Sequence, residues 1–343
     1  MRRNFKNLRI YLLMIILCGM VLSCCTSPDS RKINMTVTRI WDKVPHNAYT
    51  DLINFNGAYY CSFSEVCSSY EDTAEARGYI EIIRSKTGKK WERVALLQKE
   101  GMTLCNPRLS ITPDRQIMII MDGSVSSMVS FSDKKGDVFS DPETLNTDST
   151  ILPGKKRLWK VTWFRGTGYA LLYKSDSKDD KLSLLKTIDG KNFEKITKIE
   201  VDGLLNESTL RFDQKGTLYA LISSEYGDKK GTLGMSDWPY TEWSYRKIND
   251  SPDIFNFTIV NKKIVVVAPG LSKPELHTGI LTVNKKGYIE EIVKLPLGKD
   301  ACYPGILTEP GKLLISCCYE HEGKPAIYLV KVPIKLIKQK IKE

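Results

Sequence analysis

Six stretches of this chain share one shape: an alternating strand, a turn carrying Gly, Asp, Asn or Lys, and then a strongly apolar strand. They are Tyr49–Phe63, Arg108–Ile119, Val161–Tyr173, Thr209–Ile222, Phe257–Val267 and Ile306–Cys317, and their starts lie about fifty residues apart. Each turn has hairpin chemistry: Asn56-Gly57, Pro113-Asp114, Arg165-Gly166, Lys215-Gly216, Asn261-Lys262 and Pro310-Gly311. One small sheet per repeat cannot bury its faces alone, whereas sheets closed into a ring bury them on one another and protect their edges. The period therefore predicts an all-β chain, a six-bladed β-propeller over residues 33–333 with four strands per blade. Ile33–Trp41 is expected to complete the blade of Ala326–Val332 and so fasten the ring. Two packed β-sandwiches would also be all-β, but they would not produce an even period.

A second motif recurs out of phase with the first. Ser85-Lys86-Thr87-Gly88-Lys89-Lys90-Trp91 matches Thr187-Ile188-Asp189-Gly190-Lys191-Asn192-Phe193 position for position, and Ser132 to Phe139 is a looser copy with one extra residue. The aromatic ends Trp91, Phe139, Phe193 and Trp243 are 48, 54 and 50 residues apart. Short hydroxyl and carboxylate side chains bond the turn backbone, glycine takes a positive φ, and the ring packs beneath. The motif resembles the Asp-box of sialidase-type propellers, where it is structural and marks outer hairpins.

The N-terminus reads as a targeting segment. Arg2, Arg3, Lys6 and Arg9 precede an apolar run, Ile10 to Leu22, too short to span a bilayer comfortably. Ser23-Cys24-Cys25 follows and resembles a bacterial lipoprotein cleavage site. The resemblance implies a signal peptide over 1–23, lipidation at Cys24, a polar tether over 24–32, and a domain anchored to the outer membrane on its periplasmic or surface face. The net charge of +11 comes largely from that signal and from lysines in the last thirteen residues. Residues 334–343 are expected to be a solvated, frayed basic tail. No arginine stripe interleaved with aromatics appears, so nucleic acid is not an expected partner. No CxxC pair or other metal-ligand spacing occurs, so neither metal nor cofactor is expected, and the chain is expected to be a monomer.

In a propeller the start of each innermost strand lies near the central axis, and these starts are unusually polar or aromatic: His46, Asn47 and Asp51; Asn106 and Arg108; Trp159 and Lys160; Asn206 and Glu207; Phe255 and Asn256; and Tyr303. Six such positions at one phase of the repeat predict a lined axial pocket. Arg108, Asn106, Trp159, Lys160 and Asn256 are the candidate ligand-binding residues. Trp159 either stacks on a sugar face or plugs the central hole. His46 either acts as a general acid or base, as in carbohydrate lyase chemistry, or has both nitrogens satisfied by backbone in a tight turn.

The mature chain resembles bacterial sialidase-related propellers. Asn206-Glu207 opening a strand, with Gly216 nine residues after the glutamate, is similar to the sialidase blade whose glutamate partners the nucleophile. Tyr303, with Tyr319-Glu320 closing its hairpin, resembles the region of the nucleophilic tyrosine. The resemblance implies Tyr303 and Glu207 as a catalytic pair, Asp51 as the acid, and a glycan as the ligand. Three arginines grip the substrate carboxylate in that family, and this chain departs there. Ser223-Ser224, Ala268-Pro269 and Tyr49-Thr50-Asp51 stand where arginines are expected. The sequence therefore leaves a glycosidase of altered specificity and an inactive glycan- or protein-binding propeller both open, with true sialidase activity disfavoured. A purely structural envelope module would instead plug its axis with apolar side chains.

Overall fold

The second strand of each repeat is apolar on both sides because both of its faces are covered. In Leu218–Ser224, for example, Leu218, Ala220 and Ile222 pack toward the preceding blade while Tyr219 and Leu221 pack toward the following one. The same period-two division runs through Ile117–Asp122, where Ile117, Ile119 and Met121 separate from Met118 and Ile120. Six apolar cores result, one between each pair of neighbouring sheets. The sixth closes the ring by packing Leu314, Ile327 and Trp41 of the last sheet on Leu52, Phe63 and Ile83 of the first.

The computed structural model describes residues 35–43, 47–66, 78–124, 126–147, 156–174, 182–201, 205–224, 231–249, 256–271, 277–298, 302–321 and 324–342. Its strands form six sheets, antiparallel but for one rim pairing in the third, and five of them are four-stranded. The first blade runs Asn47–Phe55, Ala58–Val66, Gly78–Ser85 and Glu92–Leu97 from axis to rim. In the last, Thr36–Trp41 from the N-terminal side adds to Lys324–Pro333, Lys312–His321 and Cys302–Glu309, as the sequence predicts. Pairing an N-terminal strand with the C-terminal ones in one sheet fastens the ring, leaving only the short outer edge of each blade. The third blade departs from the expected four strands. Its innermost strand is split into Lys156–Leu158 and Thr162–Phe164, and Asn146–Thr147 adds in parallel at its rim.

The hairpin tips behave as their residues require. Asn56-Gly57 and Arg165-Gly166 have positive φ at both central positions, the twist that a two-residue hairpin needs. In the outer turns Ser85 Oγ accepts from the Gly88 amide, and Thr187 Oγ1 from the Gly190 amide, at 2.9 Å each. The Asp189 carboxylate accepts from the Lys191 and Asn192 amides, and these bonds hold its pKa down at about 2 despite partial burial.

Residues 334–342 correct the expectation of a frayed tail. Ile334–Lys342 is a helix that buries Ile334 and Ile337 in the core between the last two blades, with the Ile334 amide bonded to the Gly311 carbonyl. Ile334, Ile337 and Ile341 have helical spacing, and the lysines between them face water.

At Gly305 the last blade passes close to the backbone of the first. A Cβ there would lie 2.6 Å from the Leu52 amide nitrogen and 2.8 Å from the Asp51 carbonyl carbon. Gly305→Ala is expected to cost about 1–3 kcal/mol by overpacking, read as a lower urea midpoint; an unchanged midpoint would show that the seam can part.

Candidate ligand site at the propeller axis

Five of the six innermost strands share an irregularity close to the axis. Pairing slips by one extra residue between Ala48 and Asp51, Cys105 and Arg108, Leu205 and Ser208, and Cys302 and Gly305. The split third-blade strand has the same surplus between Leu158 and Thr162. Each is a bulge, which bends the strand and redirects the residues within it. Tyr49 and Asn106, the first bulged residues of their strands, have φ of 56° and 53°. Of the unusual strand starts, Asn106, Trp159, Lys160, Asn206, Glu207 and Tyr303 are therefore bulge residues, Asp51 and Arg108 directly follow a bulge, and Asn256 opens a strand that pairs without one.

Thr50, Asp51, Arg108, Trp159, Lys160, Thr209, Asn256 and Pro304 line one small axial pocket, and every blade contributes. Five residues expected from sequence are thus brought together: Asp51, Arg108, Trp159, Lys160 and Asn256. Asn106 is not a lining residue; its side-chain amide donates to Asp122 at 2.9 Å. Glu207 and Tyr303 lie in bulges of strands Leu205–Phe212 and Cys302–Glu309, with their side chains outside the described residues. Glu207 has the register of Thr50 and Pro304, both of which line the pocket. His46 and Cys24 lie outside the described residues.

Asp51 is the keystone of the axis. Its carboxylate accepts from Lys160 Nζ at 2.9 and 2.7 Å, from the Leu52 amide at 2.9 Å and from the Leu109 amide at 2.8 Å. One side chain therefore ties the first blade to the second and, across the axis, to the third. With both oxygens engaged and only 1% exposure, it is poorly placed to deliver a proton. Burial pulls Lys160 below the ordinary lysine range, with Asp51 acting against that shift.

A second chain of bonds closes the remaining blades. Arg211 donates to Asn256 Oδ1 at 3.0 Å, Asn256 Nδ2 to the Pro304 carbonyl at 2.9 Å, and the Gly305 amide to Thr50 Oγ1 at 3.3 Å. Arg211 is the residue that sequence reading missed. Burial lowers its pKa to about 10, opposed by Asp51. The signal available was its parity with Thr209, which puts both on one face of the strand.

Arg108, like Arg211, is held by the carbonyl of the preceding residue and by an aromatic ring, but it is Arg108 that lines the pocket. It is 7% exposed, its Nη1 donates to the Pro107 carbonyl at 2.8 Å, and its guanidinium lies 4.1 Å from the centre of the Trp159 ring. Among the described residues no carboxylate pairs with it. Trp159 is 4% exposed and is spent on supporting that guanidinium, which favours the plug over the sugar-stacking role.

Six sheets ringed about an axial pocket also describe several known enzymes. No family model and no curated protein matches the chain. Among solved structures, the NanB sialidase of Streptococcus pneumoniae superposes with a TM-score of 0.67 at 10% identity, over 87% of this chain and 70% of the other. The fold is the sialidase-like six-bladed propeller. A Dyadobacter fermentans protein of unknown function shares it with a TM-score of 0.73 at 14% identity, covering 87% of this chain and 99% of that one. The α-L-arabinofuranosidase Arb93A of Fusarium graminearum matches at 0.64 and 15% identity, over 88% and 98% of the two chains. At these identities the sialidase-like propeller is shared as a fold, on which different glycosidases are built.

Proposed function

We propose that this propeller binds a carboxylate-bearing glycan at its axial pocket, at a cell envelope to which lipidated Cys24 anchors it. The observation that carries the reading is Arg108, a buried guanidinium that lines the pocket without a described carboxylate partner. A buried charge left unpaired is costly, and a ligand carboxylate would supply the missing partner with bidentate geometry. Arg108, Lys160 and Arg211 outnumber the carboxylates near the axis even with Glu207 counted beside Asp51, so an anion is favoured. The glycosidases that share the fold support a sugar as the ligand.

The test is calorimetric titration with uronate oligosaccharides and their carboxyl-reduced counterparts. The acidic forms are expected to bind about tenfold or more tightly; equal affinities would refute the reading.

A hydrolytic reading is favoured by one observation, that Glu207 has the register of pocket-lining residues and Tyr303 directly precedes another, Pro304. On that reading Tyr303 attacks the anomeric carbon as the glycosidic C–O bond breaks, Glu207 takes the tyrosine proton, solvent water protonates the departing oxygen, and a second water then cleaves the tyrosyl–sugar bond. Turnover of aryl glycosides is then expected to fall by about 10² or more in both Tyr303→Phe and Glu207→Gln. Binding without turnover in the wild type would leave the propeller a lectin-like module.

A further inference from the structure

Four side chains stand out from an otherwise polar surface. Val138, Ile188, Trp238 and Tyr288 are 68, 81, 80 and 59% exposed, and no other large apolar side chain among the described residues is more than 39% exposed. They fall fifty residues apart. Each lies in the turn joining the two outer strands of its blade, in blades two to five. Single exposed apolar residues are ordinary on a protein surface. Four in equivalent turns are not accounted for by the fold, since in blades two to four a separate ring (Phe139, Phe193 or Trp243) is what packs inward.

The register places these turns at one end of the sheets. Met118 pairs with Phe131, Gly168 with Thr187, Leu218 with Ser236 and Ile264 with Val283, so each outer turn lies at the end of the blade that carries the inner hairpin tip. The pocket residues sit at the opposite end, where the innermost strands begin. The hairpin end is also rich in exposed cations, including Lys134, Lys135, Lys262, Lys263, Lys285 and Lys286. The helix Ile334–Lys342 starts there too, through its bond to Gly311, and exposes Lys335, Lys338 and Lys340. Several carboxylates at this end are occupied: Asp133 and Asp189 by turn amides and Asp137 by Arg84. Strand Thr36–Trp41 begins at this end, as its pairing of Thr36 with Lys331 shows.

We propose that this hairpin end rests on an anionic lipid bilayer, with Trp238, Tyr288, Ile188 and Val138 dipping into the interface and the pocket facing away. Tryptophan and tyrosine favour the interfacial layer, and lysines close to anionic headgroups add attraction that one lipid chain lacks. A protein partner fits less well, because specific interfaces concentrate their anchors in a contiguous, desolvated centre. Isolated apolar tips spread around a basic ring suit a laterally continuous amphiphilic surface. The inference does not depend on acylation at Cys24.

The experiment uses the full chain with vesicles containing brominated phosphatidylcholine, with and without phosphatidylglycerol, and reads quenching of tryptophan fluorescence. Any attachment through the N-terminal apolar segment is common to all variants, so the readout is lipid contact at the turn. Quenching is expected on anionic vesicles, with most of it lost in Trp238→Phe. It is also expected to weaken in Lys285→Glu/Lys286→Glu on anionic vesicles alone. These positions are exposed, and an unchanged melting temperature checks that the fold is intact. Quenching that persists in Trp238→Phe, or is absent on anionic vesicles, overturns the proposal, and an acidic protein would then be the better partner for this face.

Discussion

Asp51→Ala is expected to destabilise the propeller by about 3–5 kcal/mol, a large part of the stability of a typical domain. The substitution removes the partner of Lys160 and leaves an ammonium of 12% side-chain exposure in the ring's centre. It also strands the Leu52 and Leu109 amides. Adding Lys160→Met should recover part of the loss, because the buried charge goes with its partner. Urea unfolding of both variants measures this, and equal destabilisation of the single and double variants would show that the ion pair is incidental. The pH dependence has a definite sign. Burial lowers the Lys160 pKa in the folded state from the ordinary 10.5, so between the two values the unfolded chain binds more protons and stability rises with pH. The contribution penalises the fold fully below the folded pKa and vanishes above the unfolded one. Lys160→Met should lack that rise.

The same residue shows how far sequence reached. That Asp51 lies at the axis follows from its phase in the repeat, which needs only local alternation and turn chemistry. That it is tied to Lys160 does not follow, because the two are 109 residues apart and meet only once the ring has closed. Sequence reading therefore offered Asp51 as an acid, whereas the structure engages both its oxygens. The bulges were invisible for a similar reason, since a surplus residue appears only when two strands are paired. Arg211 was passed over because it lies between Leu210 and Phe212 inside an apolar strand, beyond the strand starts that mark the pocket. The C-terminal helix was hidden by its lysines, which outweighed the spacing of Ile334, Ile337 and Ile341.

Arg108→Lys is expected to weaken binding of an acidic glycan nearly as much as Arg108→Ala, by about 1.5–3 kcal/mol, or ten- to a hundredfold. Charge alone would predict a mild effect, but the guanidinium is held by geometry that lysine cannot reproduce. Its carbon centre lies 4.1 Å from the middle of the Trp159 ring while Nη1 donates to the Pro107 carbonyl, at the wall of the pocket. An ammonium has neither the plane to stack nor paired donors to match a carboxylate. Trp159→Leu should therefore weaken binding as well, by freeing the guanidinium while leaving its charge in place. Titrations of the three variants against the same uronate ligand, with melting temperatures as the check on folding, separate the cases. If Arg108→Lys binds like the wild type, the pocket recognises charge without orientation, and a diffuse anion site replaces the sugar-carboxylate reading.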